Sequence, residues 1–297
     1  MVVGIGAVCG ASVWGVAWYR SRSVTTAALL RRMPAEDALV VYIDFSELRR
    51  GGILQLLDGS KAGEDPEYRS FVRQTQFDYK KDLDAALVAF APTGRFLLLK
   101  GRFDWKSLRA YVESQNGQCV NSFCRMTGST PERRISFFPL RSNVMALAVS
   151  PDESAALRLE STVSGPEPQV PAAPVWLSIP TSVLKSGDSL PAGTRMFASS
   201  MERAESVTLA FAPEGHGLAA RLDVRCRDER DAADLASQLM RTTSLLRETM
   251  ERERRKPDPA DLSGVLTSGA FRNEGRRVLG YWPIAPVFVQ NVLGGSY

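Results

Sequence analysis

The chain begins with an uninterrupted apolar stretch and then alternates between strand-like and helix-like patterns of hydrophobic residues. Residues 1–19 (MVVGIGAVCGASVWGVAWY) carry no charged side chain. A helix of about 20 apolar residues spans the hydrocarbon core of a bilayer, whereas the core of a signal peptide has only roughly 7–15. The pattern therefore predicts an N-terminal transmembrane helix, with an export signal and a buried core helix as the alternatives.

The C-terminal end of this stretch has the composition of a membrane boundary. Trp14, Trp18 and Tyr19 have the amphipathic rings that favour the headgroup layer, and Arg20 and Arg22 follow directly. We therefore predict that these five residues lie at the membrane interface. Residues 20–34, which include SRSVTTAALLRR, are typical of a short helical stalk.

The residues after the stalk, 35–160, have the patterns of a first folded unit. Runs rich in β-branched and aromatic residues indicate strands, which we place at residues 38–45, 84–90, 96–103, 134–140 and 144–149. Helices are predicted after Ser46, from Pro66 at a first helical position, and after Asp104, because these residue types favour helix N-termini.

A second unit follows a short segment rich in proline. Residues 161–173 (STVSGPEPQVPAA) are typical of a linker. Residues 174–297 then predict strands at 175–179, 206–211 and 218–226, with a turn at Pro213-Glu214-Gly215 between the last two. Asp228 is the predicted cap of a long helix that ends near residue 256, and two short strands and a terminal helix at 286–293 complete the unit.

The two units resemble each other in sequence. Phe90-Ala91-Pro92-Thr93-Gly94 matches Phe211-Ala212-Pro213-Glu214-Gly215, and Val41-Tyr42-Ile43 resembles Val175-Trp176-Leu177. Each unit is predicted as β-α-β-β-α-β, the order of the ferredoxin-like fold. We therefore predict an α+β protein in which a transmembrane helix precedes two ferredoxin-like repeats with antiparallel sheets; the alternative is two α+β halves that share only a common hairpin.

Composition narrows the classes of function. The chain has 297 residues, of which 44% are hydrophobic and 24% charged, with a net charge of +4. These values are typical of a globular protein, and the interspersed charges do not indicate nucleic-acid binding. His216 is the sole histidine, which excludes a multi-histidine metal site and disfavours a histidine-based catalytic triad. We predict no metal, no cofactor and no catalytic residue.

The cysteines and the charges give conflicting indications of compartment. Cys119 and Cys124 flank VNSF and predict a disulfide across a tight hairpin, with two unrelated thiols or half of a zinc site as the alternatives. Such a disulfide persists outside the cytosol. In contrast, Arg20, Arg22, Arg31 and Arg32 all follow the predicted helix, and positive charges favour the cytoplasmic side. We give the cysteines more weight and expect a periplasmic domain.

Candidate chemistry is limited to a group of carboxylates. Asp44, Asp78, Asp82 and Asp84 are the residues that acid–base catalysis could use, although the composition around Asp78 and Asp82 is that of a solvated loop. Ser178 stands at the position of Asp44 in the second unit, so the repeat does not imply a duplicated site.

Two stretches carry a resemblance to other proteins. Residues 38–52 (ALVVYIDFSELRRGG) and 77–84 (FDYKKDLD), together with the anchor, resemble a loose class of bacterial envelope proteins, and this resemblance covers about the first half. It implies an envelope location and no particular activity. The favoured hypothesis is a membrane-tethered, non-enzymatic module that binds a protein or envelope component. The alternatives are a cytoplasm-facing module that contacts anionic lipid through Arg20, Arg22, Arg31 and Arg32, and an envelope hydrolase that uses carboxylates such as Asp44 or Asp82.

Overall fold

The computed structural model describes residues 24–294, except for residues 35–36, 55–65, 129, 131, 187–196 and 216. The predicted transmembrane helix and the predicted interface residues Trp14, Trp18, Tyr19, Arg20 and Arg22 lie outside these ranges. Within them, no helix has both the length and the apolar character that crossing a bilayer requires.

The elements of the first half follow one another in this order: α1 (Thr26–Leu30), β1 (Leu39–Asp44), α2 (Phe45–Arg50), α3 (Pro66–Thr75), α4 (Tyr79–Asp82), β2 (Leu83–Ala91), β3 (Gly94–Gly101), α5 (Trp105–Ser114), β4 (Gln118–Val120), β5 (Phe123–Thr127), β6 (Arg134–Arg141), β7 (Val144–Ser150) and a 3₁₀ helix (Ala155–Leu159). Those of the second half are β8 (Val175–Ile179), α6 (Thr181–Ser186), a helical stretch at 197–200, β9 (Ser206–Glu214), β10 (Gly217–Arg225), α7 (Glu229–Arg252), α8 (Leu262–Thr267), β11 (Ala270–Glu274), β12 (Arg277–Ile284) and α9 (Pro286–Gly294).

All of these strands belong to a single antiparallel sheet. Its strand order is β11-β12-β10-β9-β8-β1-β2-β3-β7-β6-β5-β4. The α+β class and the antiparallel pairing are therefore confirmed, but the ferredoxin-like strand order is wrong. In that fold a further strand lies between the two strands that the first helix joins. Here β1 and β2 are direct neighbours, because the chain returns antiparallel to β1 after α2, α3 and α4.

The same strand order occurs in both halves of the sheet. β1-β2-β3-β7-β6 in the first half corresponds to β8-β9-β10-β12-β11 in the second, and the β4–β5 hairpin extends the first half alone. The equivalent strands β1 and β8 pair with each other at the centre, where they join the halves. The boundaries proposed at 35–160, 161–173 and 174–297 stay predictions.

Two local predictions need correction. The turn of the second hairpin does not lie at Pro213-Glu214-Gly215, since β9 continues through Glu214, which pairs with Gly217. Gly215, which follows the last paired residue of β9, has the positive φ of +58° that favours glycine. The N-cap of α2 is Asp44 rather than Ser46, because the Asp44 carboxylate accepts the backbone N–H of Glu47.

The sheet has two faces with different coverings. We call one the helical face: it includes Val41, Leu97 and Leu209, and α5 in the first half and α7 in the second pack against it. The other is the N-terminal face, which includes Tyr42 and Leu87. In the first half it is covered by α1 and by the 3₁₀ helix.

Candidate binding groove

A groove of about 530 Å³ lies at one end of the strands of the second half. This volume falls within the range of ligand pockets, about 300–1,000 Å³. The wall is dominated by apolar groups and by four prolines. The lining residues are Glu214, Gly217, Leu218, Pro257, Pro259, Gly264, Val265, Ser268, Tyr281, Pro283, Ile284, Ala285 and Pro286.

Close backbone approaches shape the two sides of the groove. A Cβ atom at Gly217 would lie 2.5 Å from the carbonyl oxygen of Ile284, and one at Gly264 would lie 2.3 Å from that of Asp258. Both positions therefore need glycine. The N-terminus of α8 is fixed by Asp261, whose carboxylate accepts the backbone N–H of Ser263 at 2.7 Å. The loop and helix that form one wall are thus held in a defined position.

One rim of the groove is polar. The hydroxyl of Tyr281 donates a hydrogen bond to Glu214, and Arg221 forms an ion pair with the same carboxylate at 3.2 Å. The hydrogen bond to Glu214 is the main cause of the raised pKa of Tyr281. These three side chains lie on the N-terminal face of the sheet, so the groove opens at the edge where that face meets the strand ends.

The groove continues towards the first half. Gly217, Leu218 and Pro286 also line a smaller cleft of about 200 Å³, whose other wall includes Gly51, Gly52 and Ile53. Beside the cleft, α9 exposes the side chains of Val287 and Val292. Residues 278–297 contain no charged side chain. Groove, cleft and helix together form an apolar surface that reaches from one half to the other.

The predicted carboxylates are brought to one end of β1 and β2, but they have structural partners there. Asp44 accepts the N–H of Glu47 at 2.7 Å, as the cap of α2. Asp78 accepts the N–H of Lys80 at 3.1 Å as the cap of α4, and Asp82 accepts the N–H of Asp78 at 2.9 Å. These bonds are typical of helix caps and tight turns.

Neighbouring side chains complete this carboxylate cluster. Asp82 forms an ion pair with Arg102 at 2.9 Å, and Asp84 accepts a hydrogen bond from Ser46 at 3.3 Å. Burial, followed by the charge of Asp78, raises the pKa of Tyr68 to about 12. Nowhere in the described ranges do three acidic, histidine or cysteine side chains form a group that could hold a metal ion.

Comparison with known proteins gives a likeness of structure only. No protein-family model matches the sequence, and no curated protein does either. The chain is similar to TP0453 of Treponema pallidum. Crystal form I aligns with a TM-score of 0.48 and 11% identity over 90% of this chain and 96% of that one. Crystal form III gives a TM-score of 0.48 and 10% identity over 90% and 97%.

The two predicted disulfide partners lie at one edge of the sheet. Cys119 in β4 pairs directly with Cys124 in β5, and a disulfide joins them. The side chain of Cys124 is buried against Leu108 and Val112 of α5. The bond therefore closes the edge hairpin and holds it against the helical face. Cys226 is a buried free cysteine.

Two of the arginines proposed to contact lipid have partners within the protein. The side chain of Arg31 donates to the carbonyl of Val163 at 3.1 Å, and that of Arg32 donates to the carbonyls of Leu159 and Glu160. These bonds tie the segment after the predicted anchor to the first half. His216, predicted in a turn, is outside the described residues.

Sequence reasoning missed the groove altogether. Its lining comes from three separate stretches, residues 214–218, 257–268 and 281–286. The one local signal was the density of prolines in the last two, which favours irregular backbone next to regular elements.

Proposed function

We propose that the chain is a membrane-tethered, non-enzymatic binding module of the bacterial envelope, and that its groove holds an apolar segment of a protein partner. The apolar N-terminal stretch supports the tether. The carboxylates considered for catalysis support a non-enzymatic role, because Asp44, Asp78 and Asp82 serve as caps and turn acceptors.

The observation that carries the binding proposal is the apolar surface formed by the groove, the cleft and α9. Exposed apolar surface of this kind marks interaction sites on folded proteins. Val287 and Val292 stand exposed beside a groove that is walled by Leu218, Val265 and Ile284. An apolar segment laid there would cover surface that otherwise faces water, which is the main source of favourable free energy in association.

The disulfide supports an extracytoplasmic location for the folded domain. A bond between Cys119 and Cys124 persists in an oxidising compartment such as the periplasm. The arginines after the anchor oppose this orientation by the positive-inside rule, but Arg31 and Arg32 are engaged by backbone carbonyls and so have a structural reason for their position.

Photo-crosslinking in intact membranes tests the binding proposal. A benzophenone amino acid at Val287 should give a discrete protein adduct, and Val163, a more exposed valine in the predicted linker, is the matched control. Filling the groove with Ser268→Arg should abolish the adduct. Adducts of equal yield at Val287 and Val163, or an adduct that Ser268→Arg leaves unchanged, would count against the groove as the binding site.

Thiol labelling of intact cells tests the location. After reduction, Cys119 should react with a membrane-impermeant maleimide if the domain is periplasmic. Labelling seen only after lysis would place the domain in the cytoplasm and remove the envelope part of the proposal.

A further inference from the structure

The N-terminal face of the sheet changes character from the first half to the second. One row of directly paired residues runs across it from Leu98 through Tyr42 and Trp176 to Arg221 and Tyr281. The members from the first half are buried, whereas Arg221 and Tyr281 are exposed. Trp176, in β8 at the junction, is buried as well. The part of this face that lies on β10 and β12 of the second half is therefore exposed, beside the covered part.

The residues that follow the predicted membrane anchor are fixed on this same face. Leu29 and Met33 are buried in its core, and Val24 packs against that core. The segment is held at its far end as well, because the backbone N–H of Val163 donates to the carbonyl of Arg31 at 2.8 Å. The point at which the tether joins the described domain is thus fixed by the packing of Val24 and α1.

The length of chain between Val24 and the predicted anchor is short. The anchor ends at Tyr19, and the few residues between span at most roughly 3.3–3.6 Å each. Val24 must therefore lie within roughly 18 Å of the end of the anchor. The domain is thicker than that distance. Its sheet and helix layers lie about 10 Å apart, and a helix is itself about 10–12 Å across.

We infer that the N-terminal face is turned towards the bilayer and that its open part, in the second half, meets the lipid headgroups. This inference rests on the proposed tether. The open part carries Arg221, Arg225, Arg272 and Arg277, together with Tyr281. Arginine is attracted to anionic headgroups, and tyrosine favours the headgroup layer.

Carboxylates on the same surface pair with three of these four arginines. Glu214 is paired with Arg221, Asp223 with Arg277, and Glu274 with Arg272. Arg225 adds a further positive charge at an exposed position. The surface is thus weakly positive, which suits the headgroup layer of a bilayer that contains anionic lipid. The helical face, with α7, then points away from the membrane.

Fluorescence quenching in vesicles tests this orientation. The full chain, with Cys9→Ser and Cys226→Ala, is reconstituted in phosphatidylethanolamine and phosphatidylglycerol vesicles that contain lipids with nitroxide-labelled headgroups. A fluorophore is attached at Arg225→Cys or, separately, at Arg272→Cys on the open face. The matched control is Arg241→Cys, an exposed arginine of α7 on the opposite side. We expect quenching to be several-fold stronger at both open-face positions than at the control.

The outcomes separate this inference from the proposal on which it rests. If alkaline carbonate releases the chain from the vesicles, the tether itself is absent, and both ideas fall. A chain that resists extraction but is quenched equally, or more strongly, at Arg241→Cys keeps the tether and overturns the orientation. The second open-face position guards against a local effect of the Arg225→Cys change.

Discussion

Tyr42 and Trp176 lie directly opposite each other where the two halves of the sheet join, with their rings stacked at 5.5 Å between centroids. They are also equivalent positions of the two halves: Tyr42 is paired with Leu87 of β2, and Trp176 with Ala210 of β9. Equivalent residues that face each other define a local two-fold axis. The junction thus resembles the interface of a symmetric dimer built into one chain.

Truncating Trp176 should weaken the whole sheet, because this side chain is 1% exposed at the junction. We expect Trp176→Ala to lower the free energy of unfolding by about 3–5 kcal/mol, measured by denaturant titration. Trp176→Phe should cost far less, since the indole N–H has no partner among the described residues and the smaller ring still fills part of the site. Equal losses for the two variants would contradict the packing argument.

The sequence predicted the elements better than their arrangement. The strand patterns around Tyr42, Leu98 and Leu222 are local, and each gave a strand. The ferredoxin-like order failed because the choice of neighbour for β1 depends on β2 and β8, which are distant in sequence. The shared Phe-Ala-Pro motif also misled: Pro92 lies in a turn, whereas Pro213 lies inside β9. The same residue types thus occupy different structural positions in the two hairpins.

The groove was beyond sequence reasoning for the same reason. Leu218 and Ile284 are ordinary strand residues until pairing places them side by side. Pro259 lies in a loop that is distant in sequence from both strands. Neither this proline nor Gly264 indicates a cavity on its own. In contrast, the hairpin of Cys119 and Cys124 was predictable, because both partners lie within one short stretch of sequence.

Breaking the disulfide should destabilise the protein modestly. The loop between Cys119 and Cys124 is short, so the chain-entropy model gives about 2 kcal/mol. We expect the double variant Cys119→Ala/Cys124→Ala to lose about that much stability in a thermal melt. A reducing agent should then lower the melting temperature of the native protein and leave that of the double variant unchanged. Sensitivity of the variant to reductant would point to some other bond.

The close approach at Gly264 predicts a sharp response to a single methyl group. Its Cβ would lie 2.3 Å from the carbonyl oxygen of Asp258, so Gly264→Ala must displace one wall of the groove. We expect a loss of about 1–3 kcal/mol and weaker crosslinking from Val287. Gly51→Ala is the matched control for stability, because the nearest atom there is 3.5 Å away and the backbone is in the helical region. It is not a control for crosslinking, because Gly51 lines the adjoining cleft. A neutral Gly264→Ala would show that the loop adapts.

Acid should destabilise the wall of the groove through Asp261. Its hydrogen bond with Ser263 lowers the pKa of the Asp261 carboxyl below the usual 3.8. A carboxyl whose pKa is lowered by folding stabilises the native state above its unfolded pKa, and this contribution is lost as the pH falls through the lower, folded value. Stability should therefore drop below about pH 4. In Asp261→Asn the drop should be shallower, as measured by urea titrations at several pH values; an unchanged slope would assign it to other carboxyls.

Leu98 and Arg221 are equivalent positions on the N-terminal face. Replacing each by the residue type of the other should change the free energy of unfolding by very different amounts. Leu98 is fully buried beneath the covering of the first half, so Leu98→Arg would bury an unpaired charge and should cost more than about 3 kcal/mol. Arg221 is exposed, so Arg221→Leu should change stability by less than about 1 kcal/mol. Denaturant titration of both variants measures the contrast. Similar losses would mean that the face of the second half is covered as fully as that of the first, and the open surface assigned to the bilayer would have to be abandoned.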